Sequence, residues 1–295
     1  MTSPQRSDSL RGILWMLQAA LWFAISIALV RYLSDYMSVL QITFLRQVLG
    51  ALTMLPLVMK SGIGSFRTQR PWTHFGRGAF SYLGMLLSYY SVTLISLADS
   101  NALQFTLPFF TFLYAMWLLH ERISIHRWVA MAAGFTGVLV IVRPGFAAVN
   151  LGVFVAIAAA ASYGLSDVMT RLLSRNDHTN LIMFYTFAMP VPLGLVPALF
   201  DWTWPDWWVS VTILVFSAAS TLASYSLTRA FSVAETSVVS PILYLRLPMV
   251  AVLGWYFFGQ PTDIWTWIGS AIIFGATYGL ARREAHVARR AARTA

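Results

Sequence analysis

The chain has no cysteine and a single lysine, Lys60. Disulfides, thiolate metal sites and cysteine nucleophiles are thereby excluded together. Charge is scarce as well: Asp, Glu, Lys and Arg supply 11% of 295 residues, against roughly 25% in soluble domains. Too few polar groups remain to cover a water-facing surface. No phosphate-binding loop and no Gly-x-Ser-x-Gly elbow occurs, and His120-Glu121 is not followed by a second His at zinc-protease spacing. Direct ATP-driven pumping and the common hydrolase chemistries therefore lack their residues. No ring of filter residues marks a channel. Catalytic residues, metal ligands and cofactors are all expected to be none.

What the chain does have is apolar mass: 58% hydrophobic residues, 15% aromatic, twelve of them Trp. A net charge of +9 would suggest nucleic acid in a soluble protein. Here nineteen of the twenty basic residues are Arg, clustered between hydrophobic runs, which is a membrane-topology pattern. A helix needs about 20 mainly apolar residues to cross the hydrocarbon core. Ten such spans are read at 13–33, 39–59, 75–95, 101–119, 127–143, 151–173, 180–200, 208–230, 236–258 and 262–281. The first is longer than a signal peptide's apolar core of about 7–15 residues, so no cleaved leader is expected.

With the N-terminus placed in the cytoplasm, sixteen basic residues fall inside, Arg77 among them, and only Arg31 and Arg143 outside. Arg46 and Arg246 lie within spans. This split predicts a multi-pass membrane protein with both termini cytoplasmic. The connection from Asp201 to Trp208 carries four Trp and two Asp, an aromatic belt on the outer side. The basic tail from Arg282 to Arg293 reads as a juxtamembrane anchor.

The two halves resemble each other. An offset of 140 aligns Ser26 with Ser166, Arg31 with Arg171, Leu33 with Leu173 and Ser34 with Ser174. Ala98-Asp99-Ser100 matches Ala234-Glu235-Thr236 at 136, and Trp128 matches Trp267 at 139. A unit of five spans is odd, so the second copy enters the membrane inverted, a recurring design of secondary transporters. The fold expected is all-α integral membrane, ten transmembrane helices as two inverted five-helix repeats. Its parts are 1–145, 146–281 and a basic cytoplasmic tail, 282–295.

Several stretches carry a family likeness: Trp22…Ser26…Arg31, Phe44-Leu45-Arg46, Ala98-Asp99…Pro108, the run from Leu118 to Trp128 leading to Gly134 and Gly137, and Gly259-Gln260-Pro261 through Gly269. In these the chain resembles the drug/metabolite transporter superfamily, in its ten-helix branch with paired EamA-type repeats. Gln260 stands where that family commonly has Glu. Within the superfamily the chain looks most similar to bacterial inner-membrane exporters of aromatic and other neutral amino acids. The likeness implies a non-enzymatic carrier of small neutral, aromatic amino acids, by export or facilitated diffusion with alternating access. Cationic drugs or other small metabolites are the alternative cargo, and an intramembrane enzyme is the rival from another class. The partners implied are a small-molecule substrate and the lipid bilayer, with no nucleic acid; the coupling ion is a proton or none.

Ionisable residues inside a span usually face a bundle interior or a wet cavity. Arg246, Arg46 and Asp167 qualify. An Arg at mid-membrane suits a carboxylate. Asp167 and Arg171, four apart, can equally pair on one helix, and Arg46 can snorkel outward. Trp22, Tyr163, Tyr82, Tyr89, Tyr90, Tyr225 and Tyr244 are candidate cavity aromatics that can stack on an aromatic substrate or a cation, or simply pack. Gln104 can add a hydrogen bond; Asn101 can do the same or start a helix. Gly134, Gly137, Gly269, Gly275 and Gly279 read as close-packing positions, and prolines in spans four and nine as paired kinks.

Overall fold

The computed structural model describes residues 4–60, 68–119, 125–143, 150–173, 177, 179–233 and 240–294. Described residues form helices α1 (Pro4–Leu33), α2 (Val39–Lys60), α3 (Pro71–Leu94), α4 (Leu97–Gln104), α5 (Leu107–Leu119), α6 (Ile125–Val142), α7 (Leu151–Leu173), α8 (Thr179–Ala188), α9 (Pro190–Phe200) and α10 (Trp207–Val233). A 3-10 turn (Ser240–Leu245) then leads into α11 (Arg246–Phe258) and α12 (Ile264–Thr294). These make ten crossings, of which α1, α2, α7 and α10 hold unbroken apolar runs of 18 to 24 residues.

Three crossings expected to be single helices are interrupted, and proline accounts for each. Span four breaks between α4 and α5, where Phe105 and Thr106 donate to Ala102 and Leu103 in tight 3-10-type bonds of 3.1 Å. Pro108 follows in the first turn of α5, where its missing N–H costs nothing. Span seven breaks before Pro190, which has no N–H for the Thr186 carbonyl. That carbonyl instead accepts from Gln47 Nε2 at 3.3 Å. In its described residues, span nine is a Pro241-containing 3-10 turn from Ser240 that becomes α-helical at Arg246, with Pro248 in the first turn.

Other expectations need adjusting. Span four begins at Leu97 rather than 101: Ser96 caps it, accepting from Asp99 N at 3.0 Å. Asn101 therefore does not start the helix. The basic tail continues α12 as helix to Thr294. Gly137 and Gly269 do allow α6 and α12 to cross closely, since a Cβ on Gly137 would lie 2.7 Å from the Gly269 carbonyl oxygen. A Cβ on Gly275 or Gly279 would meet nothing within 4 Å, so neither serves close packing.

The inverted repeat is visible in which helices touch. The two most extensive contacts, α3 with α7 and α1 with α10, are images of each other when the halves are exchanged. So are α5 with α7 and α11 with α1, and α3 with α8 and α10 with α2. The contacts α6–α12 and α2 with α8 and α9 map onto themselves. Alternate helix ends define two faces, here named for Arg31 and Arg77. Buried Val30, Leu33, Ile42, Val92 and Leu97 pack into one apolar cluster at the Arg31 end. There the halves are further joined by Gln41 to Thr203, the Leu97 N–H to Gln260, Thr266 to Asp99 and Arg143 to Asp263.

Candidate functional site

A cavity of about 490 Å³ lies at mid-depth beneath that apolar cluster, where the interrupted crossings meet. Both halves build it. The first half supplies Phe23 and Ser26 from α1, Arg46 and Gln47 from α2, a stripe from Arg77 to Tyr89 on α3, and Ser100, Asn101 and Gln104 from α4. The second supplies Tyr163 and Asp167 from α7, Thr186 and Phe187 from α8, Ser220 and Ser224 from α10, and Arg246. Asp167 is solvent-exposed and sits toward the Arg77 end.

Arg246 is the first residue of α11, placed by the change from 3-10 to α-helix. Its guanidinium lies 5.6 Å from the Phe23 ring centroid and 5.5 Å from that of Phe105. Two ring faces hold a cation that water would otherwise hydrate. Arg46 lies 5.6 Å from the Phe187 centroid and donates to Gln47 Oε1 at 3.3 Å and Met85 Sδ at 2.9 Å. Arg77 is held by Thr170 Oγ1 at 2.6 Å, the Ile182 carbonyl at 2.9 Å and Thr186 Oγ1. Among the described residues, three guanidinium groups and one carboxylate thus face a common space. Nitrogens on that wall that are buried without an acceptor include, among the described residues, Arg46 Nε, Asn101 Nδ2 and Gln104 Nε2. Buried donors of this kind are costly unless a ligand or water satisfies them.

Of the residues singled out from the sequence, Arg246, Arg46, Tyr163, Tyr89, Gln104 and Asp167 line the cavity. Tyr163 stands within electrostatic reach of Tyr89, Arg46, Arg246 and Asp167. Trp22, Tyr82 and Tyr90 are not in the lining. Trp22 is half-buried one position before Phe23, and its carbonyl accepts from Ser26 Oγ at 2.7 Å. Tyr82 is a packing residue against Gly194, where an added Cβ would come within 2.7 Å of its hydroxyl. Tyr90 is 45% exposed because one helical step turns it away from Tyr89. Tyr225 also faces outward and meets Trp15 edge-on at 5.9 Å. The side chains of Tyr244 and Arg171 lie outside the described residues, and with them the expected Asp167–Arg171 pair; so do Glu121-Arg122 and Ala234 to Thr236.

Sequence reasoning missed Arg77, Phe23 and Phe105. Arg77 counted as a flanking cytoplasmic cation, yet Arg77, Ser81, Met85 and Ser88 recur at helical spacing and form one polar stripe. No local signal marks Phe105, whose charged partner is far away in the sequence.

An inverted pair of five-helix bundles around a charged, aromatic-walled central cavity defines a membrane carrier. The model of the EamA-like transporter family matches residues 10–143 and again 150–282, and the chain belongs to that family. It is similar to the S-adenosylmethionine uptake transporter of Rickettsia prowazekii, 26% identical over 268 residues, 91% of each chain. It is also similar to the riboflavin transporter of Rhizobium johnstonii, 28% identical over 282 residues, 94% of this chain and 93% of that one. A solved crystal structure shares the fold, with a TM-score of 0.61 at 18% identity, covering 95% of this chain and 99% of the other. The protein is a multi-pass inner-membrane transporter of small metabolites. Neither relative is named for an aromatic amino acid.

Proposed function

We propose that the protein carries small solutes that join a flat aromatic ring to an amino-acid end, by alternating access of its two halves. The supporting observation is the placing of Arg246 and Asp167 on one cavity walled by Phe23, Phe187, Tyr89 and Tyr163. A carboxylate suits a guanidinium, an ammonium suits Asp167, and a ring suits the aromatic faces. Aromatic amino acids are the simplest members of this class. S-adenosylmethionine, with its amino-acid end and adenine ring, is a larger one. Cationic drugs fit less well, because one carboxylate stands among three guanidinium groups.

A second reading is a neutral flavin-type solute. It is favoured by the unsatisfied nitrogens of Asn101 and Gln104 and by the hydroxyls of Ser26, Ser88, Ser220 and Ser224, which suit carbonyls and a hydroxylated chain. The halves are taken as 1–145 and 146–281, with both termini cytoplasmic from the sixteen-to-two charge split. The Arg77 end then faces the cytoplasm.

The test is counterflow of labelled tryptophan, S-adenosylmethionine and riboflavin in proteoliposomes, each with and without Arg246→Ala. The amino-acid reading expects tryptophan or S-adenosylmethionine to exchange and to fail in the variant. Exchange of riboflavin alone selects the second reading. Exchange of none of the three, by correctly inserted protein, rejects both.

A further inference from the structure

Two rings of the cavity wall, Phe187 and Tyr163, rest on buried glycines that are not themselves in the lining. Gly50, on α2 one turn after Arg46, meets Phe187 of α8; Gly84, on α3, meets Tyr163 of α7. The two contacts differ in what lies behind the ring. A Cβ added at Gly84 would stand 3.0 Å from Tyr163 Cγ and Cδ1 and 3.2 Å from the Ala159 carbonyl oxygen. A methyl there would press on the α7 backbone as well as on the ring, so the two helices would have to part. A Cβ at Gly50 would stand 2.5 Å from Phe187 Cδ1, 2.8 Å from Cε1 and 3.0 Å from Cγ. All three of its nearest atoms belong to the ring.

Carbon atoms in favourable contact lie about 3.5–4.0 Å apart, so the Phe187 ring would have to give by about 1 Å. The backbone that carries it is tied down. Gln47 Nε2 on α2 donates at 3.3 Å to the Thr186 carbonyl oxygen, which belongs to the peptide joining Thr186 to Phe187. The Thr186 hydroxyl accepts from Arg77. With its backbone held, the ring yields by turning about its own side-chain torsions. Helix α2 lies behind it, the Arg46 guanidinium lies 5.6 Å from its centroid, and the open volume that it borders is the cavity. Glycine is also a poor residue for a helix interior on propensity alone. A recess for a ring explains its presence on α2.

We propose that Gly50 sets the width of the cavity, and so the largest solute that it admits, by giving Phe187 a recess in α2. Gly50 touches no solute; it is a positioning residue that acts through the ring. An alanine in its place turns Phe187 into the cavity and shuts out bulky solutes ahead of small ones. The proposal rests on this cavity being the solute site and not on which solute is carried.

Because the chain has no cysteine, one introduced thiol reports on the cavity alone. Ser81 lines the cavity on α3 between Arg77, which binds Thr186, and Met85, which Arg46 reaches. A group attached there shares the cavity with the Phe187 ring. The full-length Ser81→Cys protein is reacted with a small and a bulky aromatic methanethiosulfonate, alone and combined with Gly50→Ala or Gly275→Ala. Dividing the bulky reagent's rate by the small reagent's rate cancels differences in thiol reactivity. Gly50→Ala is expected to lower this ratio about tenfold, the scale on which one added methyl group changes what a pocket admits. Gly275→Ala, where a Cβ meets nothing within 4 Å, is expected to leave it unchanged. Adding Phe187→Leu to Gly50→Ala removes the displaced ring and is expected to restore the ratio, which a general loosening of the fold would not do. A fall of less than about threefold in Gly50→Ala overturns the proposal, as does a double variant that stays as low as Gly50→Ala. If Gly50→Ala is not monodisperse by size exclusion, Phe187→Leu alone decides: it is expected to raise the ratio, and an unchanged ratio overturns the proposal. No solute enters this experiment, so its failure is separate from any failure of the counterflow test.

Discussion

The interruptions of spans four and nine occupy the same place in the two inverted halves but carry different chemistry. Both are breaks from tight turn to α-helix with a proline in the following first turn, Pro108 and Pro248, 140 positions apart. At the first, Phe105 presents a ring, and the Thr106 hydroxyl donates to its own helix at Leu103 O, 2.7 Å away. At the second, the position equivalent to Thr106 is Arg246, whose guanidinium lies on that Phe105 ring and on Phe23. The copies kept the backbone device and divided the recognition work, one supplying a charge and the other an aromatic face.

This division can be broken from either side. Arg246→Ala should have the largest effect: loss of a charged hydrogen-bonding partner of about 1.5–3 kcal/mol weakens solute affinity by roughly 10- to 100-fold in counterflow. Arg246→Lys sharpens the point, because a lysine keeps the charge but lacks the planar stacking group, and it should recover only part of the loss. Phe105→Leu keeps volume and removes one ring face, a change of about 1 kcal/mol that should raise the solute's half-saturation concentration roughly fivefold. Thr106→Val, at the matching position without a charge, should leave that concentration within about twofold, since its hydroxyl bonds only its own helix. A Thr106 variant as damaging as Arg246→Ala would erase the proposed asymmetry. Smallest of all, Asp263→Asn at the half-exposed Arg143 pair should change thermal stability by less than about 1 kcal/mol.

Much of the architecture is written in hydropathy and charge, because a bilayer forces every crossing to be an apolar helix of set length. The ten crossings, the repeat and the proline-marked interruptions in spans four and nine are legible on those grounds. The cavity wall is most legible where a charge sits inside an apolar run, as with Arg46, Asp167 and Arg246; Tyr89, Tyr163 and Gln104 came from a wider set of aromatic and polar candidates, of which Trp22, Tyr82 and Tyr90 lie elsewhere. Arg77 escaped because it stands where topology alone explains an arginine; only its helical phase with Ser81 and Met85 gives it away. Tyr89 and Tyr90 show the limit of composition, since neighbours of identical type point to opposite sides of one helix. Phe105 shows the limit of local pattern, since its role depends on a guanidinium brought to it by the fold.

The crossing of α6 and α12 at Gly137 and Gly269 is one of the few contacts that exchanging the halves leaves unchanged. Were the halves to trade shapes during a cycle, α3–α7 and α1–α10 would have to swap geometry, while this crossing would return to itself. It can therefore serve as a journal bearing: the two backbones meet directly at Gly137 and Gly269, with Ile141 and Ile273 lying over the bare positions. A side chain added at either glycine would act as a tooth, and the carrier would stall with its cavity intact.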